Sequence, residues 1–388
     1  LYGGRVAFWA GLTAALAPGI VFSSRVITTD VPLLLFWAVA LLAYVRLRAG
    51  HGQRWAVLLA VAFGLGILAK YAMVYFVPCA VVAGLVDRRA RALLKGWPLW
   101  LAFAGGALFF VPNLVWNLDN GLITMVQTGG NITGPGAVFD IGNGLGFLAA
   151  QFAVGGPVVF ATFLVLAARS GSPSITADDR TMLAFSLPLL AVVTGLAFVA
   201  KANGNWAAPA FVSAFVVVPA VLLRLRRTGL VVFGVALGLF CQAALLVADP
   251  FADRLTLPLP APRDIYAPTL GWRALGAETA AAAARTGART IVATARRDAA
   301  SLIYYARDSG IPVYAWPSPR ARDPRDHFEL TRPLPPDAAE PILAVSTCSA
   351  RRFSALFGAV TDAGSLAVPT GPTSSRTYCL HLLTDQKP

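Results

Sequence analysis

Four short stretches carry residue types from which a group-transfer reaction could be built, and each sits where an apolar run ends. Phe22-Ser23-Ser24-Arg25-Val26-Ile27-Thr28-Thr29-Asp30-Val31-Pro32 places a guanidinium five residues from a carboxylate. Gly64-Leu65-Gly66-Ile67-Leu68-Ala69-Lys70-Tyr71 sets an amine between two apolar runs. Ala200-Lys201-Ala202-Asn203-Gly204-Asn205-Trp206 holds a cation, two amides and an indole. Trp116-Asn117-Leu118-Asp119 opens a stretch rich in Gly and Asn.

A carboxylate can accept a proton from an acceptor hydroxyl or bind a metal, and Lys and Arg can grip a phosphate. Asp30 fits that chemistry, or it is an Asp that caps the helix beginning near Pro32. Lys70 either faces a phosphate in a polar cavity or extends its stem to reach the membrane surface. The Lys201–Trp206 turn reads as a polar floor for a sugar or phosphate, with Trp206 stacking on it, or as an interfacial anchor. Asp119 reads as a helix-end residue.

The elements that must position these residues are membrane helices. The 388 residues are 57% hydrophobic and 13% charged, with a mean hydropathy of +0.65; a soluble domain carries about 25% charged residues. Nine apolar segments stand out, at 6–24, 31–47, 55–69, 71–86, 97–117, 144–168, 182–199, 207–223 and 230–248. The loops at 46–54, 87–96, 169–181 and 224–229 hold twelve Lys and Arg, whereas the alternate loops hold three, Arg25, Lys70 and Lys201. That asymmetry places the first set in the cytoplasm and the candidate residues outside. The net charge of +13 is therefore largely an orientation signal, and nucleic acid is not an expected partner.

Composition changes at Asp249, dividing the chain into a multi-span part, 1–249, and a polar part, 250–388. In the second, helices at 274–286, 297–307 and 349–358 alternate with strands at 289–294, 312–316, 341–346 and 376–383. This order predicts a small α/β domain with a largely parallel sheet. Nine crossings put it outside the cell. There Cys348 and Cys379 form a disulfide or remain two buried thiols, while Cys79 and Cys241 lie in apolar runs as core residues.

Taken in order, Thr29-Asp30-Val31-Pro32, the Gly-Ile-Leu-Ala-Lys70 run, Trp116-Asn117 and Lys201…Asn205-Trp206 resemble the polyprenyl-phosphate-sugar-dependent glycosyltransferases of the GT-C membrane fold. That group includes protein O-mannosyltransferases and lipid A aminoarabinose transferases. Gly271-Trp272 before an Ala-rich helix, then Ala300-Ser301-Leu302-Ile303-Tyr304-Tyr305, resembles the C-terminal domain of its bacterial members. The resemblance implies a polytopic α-helical enzyme of the bacterial inner membrane with a small C-terminal α/β extracytoplasmic domain. It implies a polyprenyl-phosphate-linked sugar donor and a lipid, glycan or protein acceptor of the envelope. It implies donor-phosphate contacts from Arg25, Lys70 and Lys201, and acceptor- or sugar-side contacts from Asn117, Asn205 and Trp206. Asp30 corresponds to a secondary acidic residue and is the candidate ligand if a divalent metal helps to hold the phosphate. The principal acidic motif of the family follows its first span, a region expected before Leu1. Two other readings, a transporter or flippase and a non-catalytic envelope-assembly protein, are to be separated from the enzyme.

Overall fold

The computed structural model describes residues 1–125, 129, 139–200, 202–255, 266–317, 324, 326–348 and 350–387. They form two compact units, Leu1–Leu118 with Gly129–Ala244, and Asp119–Thr128 with Leu245–Pro388.

The first unit is helical. Its helices are α1 (Gly3–Ala15), α2 (Pro18–Ser23), α3 (Asp30–Arg48), α4 (Arg54–Ala69), α5 (Phe76–Val86), α6 (Arg88–Lys95), α7 (Trp97–Ala107), α8 (Val111–Asp119), α9 (Ile141–Val154), α10 (Pro157–Ala168), α11 (Ala177–Ala184), α12 (Leu187–Val199), α13 (Ala210–Arg224) and α14 (Thr228–Ala248). Among the described residues four helices are long and apolar enough to cross a membrane, Asp30–Arg48, Trp97–Asp119, Ala177–Val199 and Thr228–Phe251. The pair α9 and α10 makes a fifth if counted as one span, and Arg54–Ala69, Tyr71–Val86 and Ala210–Arg224 are shorter apolar helices. The protein is therefore a multi-pass membrane protein.

The expected continuous segment at 144–168 is broken. α9 and α10 meet at an angle of 119° across Gly155-Gly156-Pro157. Gly156 has φ +85°, a conformation that glycine adopts without strain, and Pro157 opens the next helix with no N–H to give.

Packing in this unit combines aromatic contacts with close backbone approach. Trp37 and Tyr44 of α3, Phe76 of α5 and Phe185 meet edge to face or tilted, with ring centroids 4.8–6.4 Å apart, all fully buried. α4 and α7 approach through small residues, so that a Cβ on Gly106 would lie 2.6 Å from the Ala60 carbonyl oxygen. Without a hydrophobic force between helices in lipid, such close contact is what holds them together.

At the arginine-rich end, charges are buried only in pairs. Arg48 is 7% exposed and donates through Nε to Asp87 and through Nη1 to Asp178, both at 2.7 Å. Asp87 also accepts from the Ala90 N–H at 2.7 Å, capping α6. Arg224 pairs with Asp179, which also accepts from the Tyr2 hydroxyl at 3.0 Å.

The second unit is built on a five-stranded sheet of order β2-β1-β3-β5-β4, with β1 Thr290–Ala293, β2 Val313–Ala315, β3 Ile342–Ser346, β4 Phe357–Pro369 and β5 Ser375–Gln386. Helices α15 (Trp272–Thr286) and α16 (Arg296–Tyr305) cover one face through Leu275, Ala283 and Leu302. Trp316, Phe353 and Phe357 pack on the other; a short helix, α17, spans His327–Thr331. Two expectations are corrected. The sheet is mixed, because β5 runs antiparallel to both β3 and β4. The helix expected at 349–358 is absent; Ala350–Arg352 is a single 3-10 turn, and β4 begins at Phe357. Residues 370–374, Thr-Gly-Pro-Thr-Ser, close the hairpin with Thr370 N–H donating to the Ser374 carbonyl at 2.9 Å, and so short a link allows only antiparallel pairing. On the helix-covered face, burial raises the Asp298 carboxyl, and the Tyr378 hydroxyl that donates to it is pushed up to about 12.

Cys348 and Cys379 are joined by a disulfide, so of the two readings the bonded one holds. Cys79 and Cys241 are free, the first buried and the second half-buried.

Two outcomes follow from these contacts. Arg48→Ala strands two carboxylates, and it is expected to cost about 3–5 kcal/mol in denaturant unfolding of the detergent-solubilised protein, with Arg48→Lys restoring only part. Alkylation of denatured, unreduced protein is expected to mark Cys79 and Cys241 alone by mass spectrometry, with all four marked after reduction.

Candidate functional site

Three chain segments converge on the carboxylate of Asp30. It stands in the first turn of α3, where the helix dipole favours a negative charge, and it is 4% exposed. Its oxygens do not cap the helix. Oδ1 accepts from Lys70 Nζ and Oδ2 from Asn205 Nδ2, each at 2.6 Å. The partners lie 40 and 175 residues away in sequence.

Local structure explains how each partner reaches it. α4 ends when Lys70 takes an extended conformation (φ −162°, ψ 134°), and a 3-10 turn follows at Tyr71–Tyr75. That break lets the Lys70 side chain, 28% exposed, run toward Asp30. Asn205 sits on the 3-10 turn Gly204–Ala207. The turn is tethered by Gln151 of α9, fully buried, whose Nε2 donates to the carbonyls of Phe147 and Gly204, both at 3.1 Å. On the other side of Lys70, the Tyr71 hydroxyl donates to Asn113 Oδ1 at 2.8 Å. Asn117, 1% exposed, donates to the same oxygen at 3.1 Å and to the Asn113 carbonyl at 2.9 Å.

Asp30 and Asn205 line a cavity of about 440 Å³. Its walls are mostly apolar, among them Phe22, Leu34 and Phe211, and its polar groups include Ser23, Thr28 and Asn203. The Thr28 hydroxyl is buried and has no hydrogen-bond partner among the described residues. A few polar groups converging in an apolar concavity are what a small-molecule site requires.

The expected residues are distributed unequally around this junction. Asp30, Lys70 and Asn205 are brought together. Asn117 lies one hydrogen-bond step away, behind Tyr71 and Asn113. Trp206 packs half-buried against the helical core rather than in the cavity wall. Arg25 is half-buried in the bend after α2, outside the cavity lining. Lys201 lies outside the described residues.

Gln151, Thr28, Tyr71 and Asn113 were not singled out from sequence. Gln151 gave a usable signal, a lone amide inside an apolar run, which must find partners once it leaves water.

No group of three His, Cys, Asp or Glu side chains comes together among the described residues. Both oxygens of Asp30, the candidate ligand, accept from nitrogen donors. These residues do not fit a divalent metal.

The profile of the family described as dolichyl-phosphate-mannose-protein mannosyltransferase matches residues 1–116, which carry Asp30 and Lys70. The chain is also 32% identical, over 346 residues, to the lipid A galacturonosyltransferase RgtD of Rhizobium johnstonii, covering 88% of this chain and 71% of that relative. The chain belongs to this glycosyltransferase family. It is a membrane glycosyltransferase, which sets aside the transport and assembly readings. No solved structure matches it.

In this glycosyltransferase Gln151 holds the turn that carries Asn205 and, among the described residues, has no hydrogen bond to Asp30 itself. Gln151→Leu and Asn205→Ala are therefore expected to lower the rate of sugar transfer by about tenfold or more each, and the double variant to lose little beyond Asn205→Ala alone. Initial rates of the purified variants measure this coupling.

Proposed function

We propose that the protein transfers a sugar from a polyprenyl-phosphate donor to an envelope acceptor at the external face of the bacterial inner membrane. The observation that carries this reading is the Asp30–Lys70–Asn205 junction, of which Asp30 and Asn205 line the apolar cavity. A polyprenyl-phosphate sugar joins an apolar chain to one anionic phosphate, and the site sets a partly exposed amine on Asp30, one of the residues lining the apolar cavity.

In the proposed reaction the acceptor hydroxyl attacks the anomeric carbon of the sugar. The new C–O bond forms as the bond to the donor phosphate breaks, the phosphate leaves with the electron pair, and the hydroxyl proton passes to the departing phosphate. Lys70, aimed by Asp30, neutralises the charge that develops on the leaving oxygen. Each Asp30 oxygen already accepts a hydrogen bond from a nitrogen donor, so its role is to hold Lys70 and Asn205 in place. Arg25 and Lys201 are proposed as further phosphate contacts, and Asn117 and Trp206 as supports on the acceptor or sugar side.

The relative's name supports lipid A, or a lipid of that kind, as the acceptor class, with envelope glycans and proteins as the alternatives. The proposed topology has nine crossings. Residues 1–249 form the transferase part and 250–388 an extracytoplasmic unit, where an oxidising environment would keep the Cys348–Cys379 bond.

The test is transfer of label from polyprenyl-phosphate sugars to extracted lipid A and to envelope protein by membranes containing the protein. Lys70→Ala and Asp30→Asn are each expected to lower transfer on the order of 100-fold, the scale of losing one preorganised electrostatic contact, with membrane insertion unchanged. Near-normal turnover by both variants would overturn the site assignment. Transfer only from a soluble nucleotide sugar would overturn the donor class.

A further inference from the structure

The arginine-rich end of the helical unit holds a surface that sugar transfer does not use. α6 reads Arg88-Arg89-Ala90-Arg91-Ala92-Leu93-Leu94-Lys95. Two contacts fix it in place. Buried Asp87 caps its start and is held by Arg48. The Arg91 guanidinium donates to the carbonyls of Gly84 and Leu85, at 3.1 and 2.7 Å, which the end of α5 leaves open. So anchored, α6 turns Ala90 inward and leaves Arg88, Arg89 and Lys95 exposed.

The neighbouring helix ends extend the same surface. α4 and α7 run parallel, since Ala60 lies against Gly105 and Gly106, and Gly64 against Gly106 and Phe109. Their first turns, Arg54-Trp55 and Trp97–Trp100, therefore lie at one end. The guanidinium of Arg46 stands 5.6 Å from the Trp55 ring centre, and that of Arg54 stands 5.8 Å away. Trp97 and Trp100 are 61% and 46% exposed, beside exposed Leu85, Val86 and Leu101.

Six cations thus gather here: Arg46, Arg54, Arg88, Arg89, Arg91 and Lys95. Among the described residues none has a carboxylate within ion-pair distance, and the one acid in these loops, Asp87, is taken by Arg48. Uncompensated cations this dense repel one another and draw a polyanion. The exposed indoles and aliphatic side chains beside them decide which polyanion. A soluble one would leave those apolar groups in water, whereas a lipid surface takes the indoles at headgroup depth and offers phosphates to the guanidinium groups.

We propose that α6, together with Arg46 and Arg54, is a docking surface for anionic phospholipid headgroups of the leaflet it meets. Each cation near such a surface strengthens binding about fivefold. The test uses the full chain in detergent, with binding of phosphatidylglycerol and phosphatidylcholine followed by native mass spectrometry and by thermal stabilisation. Phosphatidylglycerol is expected to bind preferentially. In Arg88→Gln/Arg89→Gln/Lys95→Gln its affinity is expected to fall on the order of 100-fold, while unfolding without lipid is unchanged. Arg88→Lys/Arg89→Lys, which keeps the charge, is expected to stay within about tenfold of the native protein. Raising the salt should weaken binding of phosphatidylglycerol but not of phosphatidylcholine. Equal binding of the two lipids, or indifference to the triple substitution, would overturn the proposal. So would full competition by soluble glycerol phosphate, which would assign the surface to a free phosphate.

Discussion

A single buried carboxylate organises the end of the membrane unit that holds the candidate site. Asp30 and Lys70 are each a poor choice for a lipid-embedded helix, because an unpaired charge there costs several kcal/mol. Joined at 2.6 Å they become tolerable, and Asn205 satisfies the second oxygen. The pairing also fixes geometry. It holds the start of α3, the end of α4 and the turn after α12 at one point. Around it the polar groups form further hydrogen-bonded links, Gln151 to the turn on one side and Tyr71, Asn113 and Asn117 on the other. Removing one member therefore disturbs more than one contact.

The packing beneath that junction follows from the solvent. In lipid, helix association rests on close approach and polar links rather than on exclusion of water. Gly64 and Gly106 allow α4 and α7 to touch backbone to backbone, and Gly19 lets α2 approach the carbonyl of Val154 in the cavity wall. The aromatic group around Phe76 packs α3 and α5 together with Phe185 ring against ring. The break at Gly155-Gly156-Pro157 turns α10 away directly after Val154, which leaves the cavity bounded by a helix end instead of a continuous wall.

Much of the site was legible because charge is rare in such a sequence. Asp30, Lys70 and Asn205 stood out as polar residues at the ends of apolar runs, and the structure joins all three. Which residue would pair with which was not legible, because the partners are 40 and 175 residues apart and local spacing says nothing about contacts at that range. Thr28 and Asn113 were hidden by their own ordinariness. The broken helix was written in Gly155-Gly156-Pro157 but masked by the unbroken hydropathy around it. In the second unit, β4 escaped notice because Gly358, Gly364 and several Ala residues dilute its strand character, and its register shifts at Asp362/Gly364. The mixed sheet follows from that omission, since without β4 there is no hairpin to reverse β5.

α3 carries a buried charge at each end, Asp30 at its first residue and Arg48 at its last, and each is tied to neighbouring helices. Its 19 residues span about 27 Å at 1.5 Å per residue, a little less than the roughly 30 Å hydrocarbon core of a typical bilayer. Most single helices adapt to a thicker or thinner membrane by tilting. This one cannot tilt away from its neighbours without breaking an ion pair at one end or the other. The helix works as a ruler within the unit: the distance between the Asp30 junction and the arginine-rich surface stays the same in whatever lipid surrounds them.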